Sequence, residues 1–598
     1  MATADILEEL ASRAAALRAA LATKKLHGFV IPRADEHQGE YVPPHAERLS
    51  WLTGFTGSAG LAIVLAEKAA IFVDGRYTLQ VGDQINPDIF EARHITDEPP
   101  AEWLRDNLSG GVRLGYDPWL HTADGAARLA DACAAVGAEL TPVPANPVDG
   151  IWIDQPPKPT APFDIHPIEF AGEESSTKRA RLAGTLVERR IDAVVLTLPD
   201  SIAWLLNIRG RDVPRTPFPL SFAILRSDGT VSLFAPDDKI DAAMREHLGA
   251  AVAISRPENF EDALASFAGR KVLVDPASAA HRIFQVLEEA GAAIERDADP
   301  CQLPKACKNE TELQGTRDAH ARDGAALTRF LAWLAHDAEA GIIDEMAAAD
   351  RLQAFRSESN LLRDLSFDTI SGAGPNGAIV HYRVTPETNR KLEAGSLYLV
   401  DSGGQYPDGT TDVTRTVAIG TPTPEMCRHF TLVLKGHIAL AKAQFPVGTT
   451  GSQIDVLARQ PLWDEGLDYD HGTGHGVGSY LSVHEGPQRI SKMPSTVALK
   501  PGMIVSNEPG YYRAGEYGIR IENLVAVSEV SDRETERPLL AFETLTLAPI
   551  DRALIDPALL TADEIAWVDG YHSRVRETIG PLVDDETGDW LEQVTRPI

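Results

Sequence analysis

Two periods of apolar residues alternate along this chain. Short β-rich runs stand between stretches with helical spacing: Gly28-Phe29-Val30-Ile31, Leu61 to Leu65, and Ala70 to Val73, the last two joined by a turn of glutamate and lysine. The opening stretch MATADILEELASRAAALRAALATKKL carries acidic residues early and no uninterrupted apolar run. It is expected to form an amphipathic surface helix, not a signal peptide. The first segment closes near Pro144-Ala145-Asn146-Pro147, and the proline-rich Gln155-Pro156-Pro157-Lys158-Pro159 reads as a linker.

Beyond the linker the same plan returns. Ala193-Val194-Val195-Leu196 matches the first strand, Ala203-Trp204-Leu205 echoes Ser50-Trp51-Leu52, and Phe222-Ala223-Ile224-Leu225 echoes Leu61-Ala62-Ile63-Val64. Ser227-Asp228-Gly229-Thr230 supplies a hairpin turn before Val231-Ser232-Leu233-Phe234. Three matches in one order predict two related α/β domains in tandem, residues 1–150 and 151–304. A third segment, 305–598, opens with Asn309 as a helix cap and Glu312 in the capping-box position. Its first helix is expected to reach about Ala340, and a second to run from Asp344 to Phe355. Glycine-punctuated strands follow, and the polar residues of interest concentrate there.

Composition narrows the classes of function. The 598 residues carry a net charge of -31, spread without a block of like charges. That sign disfavours nucleic acid and anionic membranes as partners. No run of about 18 apolar residues occurs, so no membrane span is expected. Four scattered cysteines, Cys133, Cys301, Cys307 and Cys427, form no disulfide framework, and a cytoplasmic location is expected.

Five residues of the third segment could together hold two metal ions: Asp401, Asp412, His475, Glu508 and Glu522. Asp401 ends the apolar run Leu397-Tyr398-Leu399-Val400. The chain turns at Pro407-Asp408-Gly409 and returns through Thr410 to Val417, so a hairpin carries one aspartate on each strand. His471-Gly472-Thr473-Gly474-His475-Gly476 is too glycine-rich for a helix. In an extended chain its two imidazoles face one side. Glu508 follows the strand Met503-Ile504-Val505-Ser506, which Pro509-Gly510 ends. In Gly518-Ile519-Arg520-Ile521-Glu522-Asn523 the isoleucines face a core, while Arg520 and Glu522 share the other face. Each residue alone is commonplace: aspartates sit in turns and glutamates on solvated strands. Together, four carboxylates and one imidazole without a thiolate suit manganese, cobalt or zinc. Two-metal hydrolases hold such ions about 3.5–4 Å apart.

These motifs resemble the pita-bread metallopeptidase family, which includes methionine aminopeptidase, prolidase, creatinase and aminopeptidase P. Residues 375–382 (Pro-Asn-Gly-Ala-Ile-Val-His-Tyr), 408–416 and 467–480 carry the resemblance, and the three-domain length is similar to that of the long Xaa-Pro aminopeptidases. The resemblance implies an α/β and α+β chain: two tandem creatinase-N-like domains, then a pita-bread catalytic domain with a C-terminal extension. It also implies a cytosolic homodimer with two divalent ions, manganese foremost, acting on peptides with proline second. Asp401 and Asp412 would bridge the ions, His475 would bind one, and Glu508 and Glu522 would complete the set. His381, His471 and His484 match substrate-facing histidines, with His471 beside the proline pocket and His484 near the developing oxyanion. Glu508 would also accept a proton, and Arg520 would steady the ligand carboxylates. Creatinase lacks this ligand set, which sets the chain apart from that relative. Two alternatives stay open: a prolidase confined to Xaa-Pro dipeptides, and a non-catalytic binding module on the same fold.

Overall fold

The computed structural model describes residues 4–338, 341–531 and 536–598. The chain forms two compact units, Met1–His166 with Glu173–Cys301, and Pro167–Gly172 with Gln302–Ile598.

The first unit contains two six-stranded sheets of one topology. Strands β1 (Gly28–Pro32), β2 (Leu61–Leu65), β3 (Ala69–Val73), β4 (Glu91–His94), β5 (Arg113–Tyr116) and β6 (Glu139–Pro142) lie in the order β4-β3-β2-β1-β5-β6. Strands β7 (Ala193–Leu196), β8 (Phe222–Arg226), β9 (Val231–Phe234), β10 (Val252–Ser255), β11 (Lys271–Val274) and β12 (Ala293–Arg296) follow as β10-β9-β8-β7-β11-β12. Pairing senses repeat too. The central strand heads an antiparallel meander of three in each sheet, and the remaining neighbours are parallel. The sequence echoes mark this repeat, with Trp51 and Trp204 on matching short helices, Arg48–Thr53 and Pro199–Leu206. The strands read as continuous apolar runs because both faces are covered. Phe29, Ile31, Ala62, Val64 and Ile71 enter one core, while Val30, Ile63, Ala70 and Phe72 enter another.

In the second unit the short helix Gln302–Ala306 precedes the long helix Glu310–Asp337. Asn309 accepts from the Glu312 amide, and the Glu312 side chain accepts from the Asn309 amide, the reciprocal cap expected from sequence. Such a cap contributes about 1 kcal/mol. The expected end at Ala340 lies outside the described residues. Asp344 caps the next helix, Glu345–Ser357. Three antiparallel strands follow, β13 (Ile370–Ala373), β14 (Ser396–Ser402) and β15 (Val413–Ile419). A six-stranded sheet combines Phe445–Pro446 with β16 (Gly474–Gly476), β17 (Glu485–Ile490), β18 (Ile504–Asn507), β21 (Asn523–Glu529) and β22 (Leu539–Thr544). Between β18 and β21 the hairpin β19 (Gly510–Arg513) and β20 (Tyr517–Arg520) projects. No disulfide involves Cys133, Cys301, Cys307 or Cys427. Among the described residues no helix is long and apolar enough to cross a membrane.

Candidate metal centre

Paired strands bring the carboxylates together. On β14, Asp401 lies opposite Thr414 of β15. The return strand expected through Thr410 to Val417 is interrupted: Gly409–Thr410 pairs with Gly404–Tyr406, and Asp412 occupies the corner before β15. Gly403 makes that corner possible, since a Cβ there would lie 1.9 Å from the Thr411 carbonyl oxygen. Behind β18, which ends at Asn507 ahead of Pro509 as expected, Glu508 follows, and Pro509 alone separates it from β19, which begins at Gly510. Asn507 of β18 pairs with Asn523 of β21, which sets Glu508 and Glu522 beside two matched residues. Ile519 and Ile521 enter a hydrophobic core, while Arg520 and Glu522 are buried on the opposite side, as the alternation predicts.

His475 lies on β16, where Gly474 lets β18 approach: a Cβ at 474 would meet the Ser506 carbonyl oxygen at 1.9 Å. His475 Nδ1 lies 3.0 Å from the Gly476 carbonyl. A carbonyl only accepts, so Nδ1 carries the proton. Nε2 then faces Asp412 Oδ2 at 3.4 Å and Glu508 Oε1 at 3.5 Å. His471 Nδ1 likewise donates to the Gly472 carbonyl, and its Nε2 accepts from Tyr512 Oη at 2.8 Å. The same Tyr512 oxygen accepts from Arg520 Nη1 at 2.7 Å. Arg520 Nη2 donates to Asp401 Oδ2 at 2.6 Å, which completes a chain from His471 to Asp401.

Acceptors in this cluster outnumber donors. Ligand atoms of Asp412, His475 and Glu522 all lie within 4.8 Å of one another. Glu522 Oε2 accepts from Thr414 Oγ1 at 2.7 Å and Glu508 Oε1 from Ser506 Oγ at 3.0 Å. Asp401 Oδ1 and Asp412 Oδ1 are buried with no hydrogen-bond partner. Burial, then the charges of Asp401 and Glu508, push the Asp412 carboxyl well above its ordinary range. Burial, then Asp412, Asp401 and Glu508, do the same to Glu522. Arg520 supplies the guanidinium that pairs with Asp401, and one cation cannot neutralise four carboxylates. An oxygen-rich set with one imidazole lone pair fits hard or borderline divalent ions, so the residues present pass the chemical test for a metal centre.

The three histidines flank this cluster unequally. The His484 ring packs 4.3 Å from that of His475, and His471 Nδ1 lies 4.0 Å from Glu508 Oε2. His381 is half-buried on the loop after β13, and the preceding Val380 carbonyl accepts from Arg520 Nη1 at 3.3 Å. Ser506, Thr414 and Tyr512, which orient Glu508, Glu522 and Arg520, were not singled out from sequence. The only signal for Thr414 was its phase: Thr414 and Thr416 share one face of β15, in step with Asp412 at the corner before it.

Comparison with known proteins places this geometry in a family. The metallopeptidase family M24 model matches residues 314–529, and the model of its C-terminal region matches 538–598. Two Creatinase/Prolidase N-terminal domain models match 13–149 and 154–312. A protein of Paracoccidioides brasiliensis named probable Xaa-Pro aminopeptidase P is 41% identical over 99% of both chains. A protein of that name from Aspergillus fumigatus is 41% identical over 98% of this chain and 92% of its own. The crystal structure of the X-prolyl aminopeptidase of Caenorhabditis elegans, a cytosolic enzyme with a di-nuclear active site, superposes with a TM-score of 0.94. It is 35% identical and covers 98% of this chain and 100% of its own. A Xaa-Pro dipeptidase from Bacillus anthracis (22% identical, TM-score 0.52, 63% of this chain and 99% of its own) shares the fold alone. With two creatinase-type domains ahead of a pita-bread domain whose centre is built for cations, this chain belongs to metallopeptidase family M24, in its aminopeptidase P branch.

Proposed function

We propose that this protein is a dinuclear-metal aminopeptidase that releases the N-terminal residue from peptides with proline in second position. One observation carries the reading: the His475 Nε2 lone pair faces two carboxylates, Asp412 and Glu508, inside a cluster in which Asp401 Oδ1 and Asp412 Oδ1 are buried without donors. Asp401, Asp412, His475, Glu508 and Glu522 hold two divalent ions. The hard donor set supports manganese, with zinc or cobalt as substitutes. When bound, the ions supply Lewis acidity and a nucleophile at neutral pH.

The protein's own groups do the rest. Asp401, held by Arg520, receives the substrate's α-amine, which limits hydrolysis to the first bond. Glu508, aligned by Ser506, serves as proton acceptor as well as ligand. His484 stabilises the developing oxyanion, His381 stands near the scissile bond, and His471 borders the proline ring. The bond before proline is a tertiary amide with no N–H, so ring shape and protonation of the leaving nitrogen are the features to be read. The domain division at 150 and 304, a homodimer and a cytoplasmic location belong to the same proposal; the Caenorhabditis relative's description supports the last.

Hydrolysis of Arg-Pro, Arg-Pro-Pro, acetyl-Arg-Pro-Pro and Arg-Ala-Pro tests it. Cleavage of the first two alone is expected. Activity confined to Arg-Pro would make the protein a prolidase, and equal activity on Arg-Ala-Pro would make it a general aminopeptidase.

A further inference from the structure

One buried glutamate outside the metal centre gathers donors from both flanks of the loop that carries His381. Glu345 is the first residue of the helix Glu345–Ser357 and is fully buried. Its Oε1 accepts from the Ala373 amide at 2.7 Å and from Asn376 Nδ2 at 2.9 Å. Its Oε2 accepts from Tyr382 Oη at 3.0 Å and from the Arg390 amide at 2.9 Å. The Glu345 carbonyl accepts from Ser371 Oγ at 2.7 Å. Strand β13 thus enters the loop tied to Glu345, and the chain leaves it tied to Glu345 again, at Tyr382 beside His381.

Such a carboxylate does no chemistry of its own. Two backbone amides, a carboxamide and a phenol occupy the lone pairs of its two oxygens, and no solvent reaches it. The loop between is held from the other side by Arg520, through the Val380 carbonyl. Ile379 and Tyr382 pack with Ile370 and Leu399 beneath it. Val380 is therefore fixed to the guanidinium that grips Asp401, while residue 382 is fixed to Glu345. The backbone that carries the His381 imidazole is held on both sides.

We infer that Glu345 is a positioning residue for His381, holding the imidazole at the scissile bond through Asn376 and Tyr382. This rests on the function proposed above. Glu345→Gln keeps size and burial but replaces one acceptor oxygen with an NH₂ that must face donors, so the clamp opens on one side.

Four proteins test it: wild type, Glu345→Gln, His381→Ala and the double variant, assayed for kcat and KM on Arg-Pro-Pro with metal content and thermal midpoint alongside. Glu345→Gln is expected to keep its metal and KM while kcat falls about 10²-fold, the cost of a group misplaced by about 1 Å. In the double variant kcat should equal that of His381→Ala alone. If Glu345→Gln does not fold, Tyr382→Phe, which removes one donor, replaces it in the same cycle with a smaller loss and the same non-additivity. Losses that multiply, unchanged kcat in Glu345→Gln, or His381→Ala with wild-type kcat would overturn the inference alone. A wild type inactive on Xaa-Pro peptides would overturn the function and the inference together.

Discussion

Each unit buries a cluster of charge, and the two clusters differ in how far they are balanced. In the first unit Lys239 Nζ donates to both oxygens of Asp212 at 2.8 Å, and the Leu220 amide donates to Oδ2. One cation meets one anion. Burial still pushes the Asp212 carboxyl up, against the pull of Lys239. In the second unit Asp401, Asp412, Glu508 and Glu522 share Arg520, two hydroxyl donors and the open nitrogen of His475. A balanced buried pair explains itself as structure. An unbalanced one, with four carboxylates around one guanidinium, is explained by a positively charged ligand.

The sharpest way to break this contrast is to remove a carboxylate. Asp412→Ala is expected to lose peptidase activity to the detection limit and to lose metal while the protein stays folded, as metal analysis and circular dichroism would show. Activity at the wild-type level with unchanged metal would erase the distinction between the clusters. The flanking histidines come next. His381→Ala should keep its metal and lose about 10²–10⁴-fold in turnover, the range for a positioned acid–base group. Loss of metal would make His381 a ligand.

Much of the centre was legible because period-2 alternation fixes which side chains share a face. Ile519 and Ile521 against Arg520 and Glu522 is the clearest case. The hairpin bearing Asp401 was legible for the same reason, while its interruption at Asp412 was not, because Gly403 in sequence does not announce that the Thr411 carbonyl will press against it. Thr414 and Ser506 look like ordinary strand residues until their partners across the sheet are known. Glu345 reads as a solvated acid at a helix start. Only the return of the chain at Ala373, Tyr382 and Arg390 buries it, and sequence spacing holds no trace of that closure.

Two smaller effects sharpen the comparison, one from each unit. Lys239→Met leaves Asp212 buried and uncompensated, so the protein should lose about 3–5 kcal/mol of stability. Its metal content should stay at the wild-type value. A Lys239→Met protein with altered metal content would tie the first cluster to the second. In the second unit His437 Nδ1 donates to the Asn507 carbonyl and Nε2 accepts from Asn523 Nδ2, bracing the residues beside Glu508 and Glu522. Burial, then the charge of Arg415, lowers its pKa to about 3. The folded state thus binds this proton later than the unfolded chain. Stability from neutral His437 is full above about pH 6.5 and is lost as pH falls toward 3, by about 5 kcal/mol. Chemical denaturation across that window should show a shallower acid limb in His437→Gln than in wild type.

The central claim is that the unbalanced cluster exists to hold cations for hydrolysis. Chelator-stripped protein titrated with manganese, with bound metal and Arg-Pro-Pro hydrolysis measured on the same samples, tests it most directly. Activity should appear with the metal and saturate at about two ions per chain. Full activity in the stripped protein, or saturated binding with no hydrolysis, would contradict the account.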